Sequence, residues 1–410
     1  MLRTRRFTIL PQVLLLLTLS SIFPSAALAA IFDRYADAVL GQPDFKATLA
    51  NNGGISAQSL NKPGGVAVDS ASGRLYVADT RNNRVLSWPN AAGYHSHDAA
   101  DLVFGQGNDF TTNTANKGGV SADSLNYPSG LAVDSQGDLY VADTRNNRVL
   151  EYHDPAATNT TADHVFGQPD FATTNPTTPP SDNSLNLPYG VAVDSNDNLF
   201  VADTNNNRVL KFNAPLTDSQ ADQVFGQPDF TTNLPPATPS ASSLNQPQGV
   251  ALDLAGNLYV ADTANYRALA YNAPLTNTDA DHVYGQVNFA SAVEYCVSVP
   301  AANNLCLPAA VSVDSQGVLY IADTEFDRVL LFYTPLTGSA PVSANEVIGQ
   351  LDFTSELVPD PPYSYSFNYP NALVVDSQRN LYVSDSNNSR LLRFDTVGAS
   401  DFIYLPINRK

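Results

Sequence analysis

The chain is 410 residues long and 43% apolar, and it carries 21 Lys and Arg against 40 Asp and Glu, a formal charge of −19. Apolar material is ample for a core and the 28 Pro and 23 Gly fall mainly in turns and loops, so a disordered chain is excluded. A surface this acidic repels nucleic acid and anionic membrane.

Residues 1–29 read as a secretory signal peptide. Arg3, Arg5 and Arg6 form a basic head, Val13 to Phe23 an apolar stretch, and Ala27-Leu28-Ala29 a small-x-small cleavage signal. The segment is too short, and too interrupted by Pro11 and Pro24, to span a bilayer, and nothing later approaches a span. The leader has no Cys at its end for a lipid anchor. An exported protein without membrane insertion is expected, either periplasmic or released. Losing the leader removes three arginines and no acids, which leaves 18 basic against 40 acidic residues and a charge of −22.

From residue 36 onward the sequence is periodic. One phrase recurs six times, about every sixty residues, with cores at 60–89, 125–153, 185–213, 244–272, 305–333 and 367–395. In the second copy Gly130-Leu-Ala-Val-Asp134 is an apolar run closed by Asp-Ser-Gln-Gly, a tight-turn signal. Asp138 to Ala142, a polar turn at Asp143 to Asn147, and Arg148 to Tyr152 complete three antiparallel strands. A fourth run covers Ala162 to Phe171, with counterparts starting at Ala36, Ala100, Ala221, Ala280 and Ala344. Four strands in each of six units predict an all-β, six-bladed propeller, residues 30–410 forming one domain because no unit buries its apolar face alone. The outer-strand phrase at 36–42 precedes the first core, so this N-terminal strand is expected to complete the last blade and hide two sheet edges. Ala399 to Leu405 offers a rival closing strand.

The phrase Pro-x-Gly-[Val/Leu]-Ala-Val-Asp…Leu-Tyr-Val-Ala-Asp-Thr-x-Asn-Asn-Arg-Val-Leu resembles the NHL repeat, as in exported bacterial NHL proteins, and the resemblance covers the mature chain. The units are longer than that repeat because of stretches such as Ala172 to Ser184. The resemblance implies a propeller that serves most often as a binding platform and in a minority of relatives as an enzyme.

Residues common to all units are expected to build the unit. Asp79, Asp143, Asp203, Asp262, Asp323 and Asp385, each five before Arg84, Arg148, Arg208, Arg267, Arg328 and Arg390, read as turn and ion-pair residues. The competing reading is a ring of carboxylates that holds calcium at the channel mouth; no other cofactor is indicated. Asp69, Asp134 and their equivalents open the other hairpin in the same structural role. His164 and His282 share an outer-strand slot and are expected to face solvent, and His95-Ser-His97-Asp98 is either a polar loop or a source of metal ligands. No catalytic residue set, nucleophile elbow, metalloprotease helix or phosphate loop is found.

Function is expected where the copies disagree. The residue after Asp-Thr or Asp-Ser is Arg81, Arg145, Asn205, Ala264, Glu325 and Asn387, and the residue after Pro is Gly64, Ser129, Tyr189, Gln248, Ala309 and Asn371. Both rings belong near the channel mouth. Arg81, Arg145, Tyr189, Asn205, Gln248 and Glu325 are therefore candidate ligand contacts, with the two Arg suited to a carboxylate, sulfate or sugar acid. Cys296 and Cys306, ten apart in one loop of an exported chain, are expected to form a disulfide worth roughly 2–3 kcal/mol. Blade five is the least regular, with Cys306 in place of Asn, Ala310 in place of Gly and Glu325-Phe-Asp in place of x-Asn-Asn. The function expected is a non-catalytic, monomeric scaffold that binds an extracellular protein, peptide or glycan on its loop face. The alternatives are a metal-dependent lactonase- or lyase-like enzyme with its site at the channel mouth, and a cell-surface spacer.

Overall fold

The computed structural model describes residues 32–273 and 276–396. The chain divides into two units, Met1–Ile31 and Phe32–Lys410. The expected signal peptide and the rival strand at 399–405 both lie outside the described residues. Within the second unit six four-stranded antiparallel sheets form the predicted six-bladed propeller. Blade two shows the pattern: Pro128–Val133, Leu139–Asp143, Arg148–Tyr152 and His164–Phe166 run from the channel outward. The ring closes through the N-terminal strand. Ala38–Leu40 pairs antiparallel with Arg390–Phe394, so the last blade is built from both ends of the domain.

Strand periodicity explains how blades stack. Successive side chains of the second strand point to opposite faces, and both faces are covered. Leu75 and Val77 of blade one pack with Leu40, Tyr382 and Leu391 of blade six. Tyr76 and Ala78, on the other face, pack with Leu131, Leu139 and Val141 of blade two. This is why Leu-Tyr-Val-Ala-Asp reads as an unbroken buried run; each large side chain so covered contributes roughly 1.5–3 kcal/mol.

The expected fourth strand is shorter than its phrase. Only His164–Phe166 of Ala162 to Phe171 is strand. Gly167 follows at φ +84°, and its Cα lies against Leu185, the residue that opens the next unit; an added Cβ would stand 2.5 Å from that side chain. Only glycine combines that backbone with that approach, so the Gly-Gln phrase turns the chain toward the next blade. Gln168 secures the turn by donating to the carbonyls of Asn147 and Asn175. Cys296 and Cys306 are joined, with Cα atoms 5.0 Å apart. Among the described residues no helix is long and apolar enough to cross a membrane.

Candidate functional site

The repeated Asp-Arg pairs lie at the end of each blade where its second and third strands meet. Arg148 Nε donates to Asp143 Oδ2 at 2.8 Å, and neither side chain is exposed. The rest of the guanidinium donates to carbonyls of Ser121 and Ser124 before the first strand and of Phe171 after the fourth. Asp143 Oδ1 accepts the Asn126 N–H at 2.7 Å, and Oδ2 also accepts from Asn146. The same ion pair recurs from Asp79–Arg84 through Asp203–Arg208, Asp262–Arg267 and Asp323–Arg328 to Asp385–Arg390, with Phe326 in place of the turn Asn in blade five. These carboxylates are turned into their own blades with both oxygens engaged, so they do not ring the mouth. A further link runs around the ring: the hydroxyl after each Asp donates to the next blade's proline carbonyl, from Thr144 to Pro188 at 2.8 Å and finally from Ser386 to Pro63.

The mouth itself is set by the residues that follow proline. The channel is a cavity of about 260 Å³ lined by Val, Ala and Leu of the six innermost strands, with Ser129, Tyr189, Gln248 and Asn371 at the proline ends of their strands. Tyr189 belongs to blade three and Asn371 to blade six, on opposite sides of the ring. Asn371 Nδ2 donates to Tyr189 Oη at 3.0 Å, so this bond crosses the channel. Burial pushes the Tyr189 phenol up to about 12 against the opposing effect of that bond, with the Tyr127 and Tyr369 phenols as near neighbours. Ser129 is tied down by contact with Thr144 and the Tyr189 carbonyl.

Outside this crossing the candidate residues separate into groups. Arg81 and Arg145 are both exposed and lie over the ring of Tyr127, with guanidinium carbons 5.6 and 4.4 Å from its centroid. Asn205 is exposed beside Asn186 at 3.3 Å, and Gln248 lines the channel. Glu325 is exposed in blade five, where its charge reaches Tyr369. The face is therefore polarised, basic and aromatic on blades one and two and acidic on blade five.

The sequence reading did not single out Tyr127 or Tyr369. Both precede a proline, a position that disfavours helical backbone and is normally extended. Instead all six such residues hold positive φ: Lys62, Tyr127, Leu187, Gln246, Leu307 and Tyr369, between 48° and 63°. The preceding blade holds several of them there. Asn83 Oδ1 accepts the Tyr127 N–H at 2.9 Å, as Asn147 and Asn207 do for Leu187 and Gln246. Variation at the pre-proline position, from Lys to Tyr to Leu, was the signal available. In blade five Asp327 takes the place of Asn and accepts the Tyr369 N–H at 2.6 Å. Burial lifts this carboxyl to about 7, opposed by that hydrogen bond and assisted by the charges of Asp385, Glu325 and Glu356.

Among the described residues, His95 and His97 belong to no group of three or more metal-ligand side chains. The His95 side chain is 90% exposed, 3.8 Å from Asp98. The loop instead covers the edge of the closing strand: Val39 donates to Ser96 Oγ and accepts from the His97 N–H at 3.0 Å.

Comparison with known proteins agrees with this geometry. The NHL repeat family is matched at residues 60–86, 125–152, 185–212 and 367–394, so the chain carries NHL repeats within a six-bladed propeller. It is similar to teneurin-3 of Danio rerio, 25% identical over an alignment of 361 positions that covers 77% of this chain and 13% of that much longer relative. Among solved structures it is similar to an auxiliary nutrient binding protein of Bacteroides thetaiotaomicron, with TM-score 0.53 and 10% identity over 82% of this chain and 69% of the other. It is also similar to a protein of unknown function from the same organism, with TM-score 0.51 and 16% identity over 88% and 76%. At these identities the two structures speak to the fold alone.

Proposed function

We propose that this chain of NHL repeats is an exported, non-catalytic scaffold that binds an acidic group of a glycan, peptide or protein through Arg81 and Arg145 beside Tyr127. The observation that carries the reading is the pair of exposed guanidiniums held over one aromatic ring on adjacent blades of a strongly acidic protein. An arginine fork matches the paired oxygens of a carboxylate or sulfate, and the ring offers a flat apolar surface to a sugar or side chain. The Tyr189–Asn371 bond supports a surface site over a channel site, because it occupies the place where a lactonase- or lyase-like centre would form. The disulfide and the leader pattern support export to the periplasm or beyond.

The test is calorimetric titration with an oligouronide, a sulfated oligosaccharide and an acidic peptide, each beside its neutral counterpart. Binding of one acidic class should weaken at least tenfold in the Arg81→Ala, Arg145→Ala double variant and stay unchanged in Lys46→Ala. No binding, or binding indifferent to the double variant, overturns the proposal. Turnover of a lactone by the wild-type protein would put an enzyme in its place.

A further inference from the structure

The opposite end of blade two, at the start of the strand whose far end is Asp143, departs from a pattern that three other blades share. In blades three, four and six the residue before the second strand is Asn198, Asn257 or Asn380. Its Oδ1 accepts the N–H of Ala214, Ala273 or Thr396. Its Nδ2 donates to Asp194, Asp253 or Asp376 at 2.8, 2.7 and 3.0 Å. Blade two has Asp138 there, which has no amide to donate toward the equivalent Asp134. Asp138 Oδ1 accepts the Asp154 N–H at 2.9 Å and lies 2.9 Å from His153 Nδ1. Its Oδ2 is buried without a partner among the described residues.

A second acid faces the same place from the third strand. Glu151 lies opposite Tyr140 in the ladder, where the other blades have Ser87, Lys211, Ala270, Leu331 and Arg393. Glu151 Oε2 is held by His164 Nδ1 at 2.7 Å, while Oε1 is buried and, among the described residues, unpartnered. Asp138 and Glu151 are both fully buried. Two buried acids that each carry a bare carboxylate oxygen are strongly unfavourable in a protein interior unless a positive charge completes them. One ligand atom from each of Asp138, Glu151 and His153 lies within 4.8 Å of the other two. Tetrahedral zinc with bonds of about 2.1 Å sets its ligand atoms roughly 3.4 Å apart, a closure within reach of side-chain rotation.

We infer that Asp138, Glu151 and His153 form a binding site for a divalent transition metal ion of the zinc class at the outer end of blade two. Mixed imidazole and carboxylate donors suit zinc better than calcium. The His153 side chain is 60% exposed and gives the ion a route from solvent, and His164 orients Glu151 from behind. The site is independent of the Arg-Tyr face and stands or falls separately.

Untagged protein is stripped with chelator, dialysed into metal-free buffer at pH 7.5 and titrated with zinc chloride, and bound metal is then counted by elemental analysis. The expected result is one equivalent bound at micromolar affinity or tighter and a rise in Tm on loading. Asp138→Asn restores the arrangement of three other blades and should fold normally yet bind at least tenfold more weakly, as should His153→Ala. His95→Ala should bind as wild type does. No uptake, or uptake unchanged in Asp138→Asn and His153→Ala, overturns the inference and leaves a shared proton to neutralise the pair.

Discussion

Asp327→Asn should stabilise the protein, with an advantage that grows as pH rises from 4 and is complete above 7. The equivalent Asn83, Asn147 and Asn207 each use both ends of the amide, accepting a backbone N–H of the next blade and donating to the carbonyl of Asn113, Thr174 or Asn233. Asp327 keeps the acceptor toward Tyr369 but, once ionised, has nothing to donate. Its carboxyl titrates near 3.8 in an unfolded chain and at about 7 in the folded one. A raised carboxyl means that the folded state binds the proton more tightly, so wild-type stability falls as pH rises from 4 to 7 and the loss is complete above 7. The gap corresponds to a ceiling of about 4 kcal/mol; relaxation of the surroundings reduces the expected gain to about 2 kcal/mol. For a domain of this size that is a Tm increase of about 2 to 3 °C at pH 8. The two proteins should melt together at pH 4. Equal Tm values at pH 8, or an advantage undiminished in acid, would refute the reasoning.

Two further perturbations probe the frame. Asp203→Ala leaves Arg208 buried without its carboxylate and the Asn186 N–H without its acceptor; a loss of about 3–5 kcal/mol in denaturant unfolding is expected. Opening the Cys296–Cys306 bridge by Cys296→Ser should cost about 2–3 kcal/mol. Hydrogen exchange should localise that loss to residues 287–307, and unchanged exchange there would show that the bridge does not restrain the loop.

The frame was legible because each of its elements is local and repeated. Short apolar runs gave the strands, turn residues gave the hairpins, and an outer-strand phrase ahead of the first core gave the closure that Ala38–Leu40 makes with Arg390–Phe394. The candidate site was legible in part. Arg81 and Arg145 stood out as differences between copies, but the ring between them did not. Tyr127 reaches that place only because Asn83, on the preceding blade, holds it in a backbone conformation that proline normally discourages. Tyr189 and Asn371 are 182 residues apart and meet because opposite blades of a closed ring share one narrow axis. Asp138 and Glu151 looked like ordinary polar positions along separate strands; pairing across the sheet is what makes them neighbours.

Because one sheet takes its outermost strand from the beginning of the domain and the other three from its end, assembly has a built-in terminus. Synthesis delivers five blades in succession, yet the sixth waits for residues made at opposite times. Until Arg390–Phe394 has emerged, the early segment Ala38–Leu40 has no partner edge to join. A chain cut short anywhere before that strand is therefore left with an unsealed gap on both flanks, whose bare backbone invites pairing with another chain.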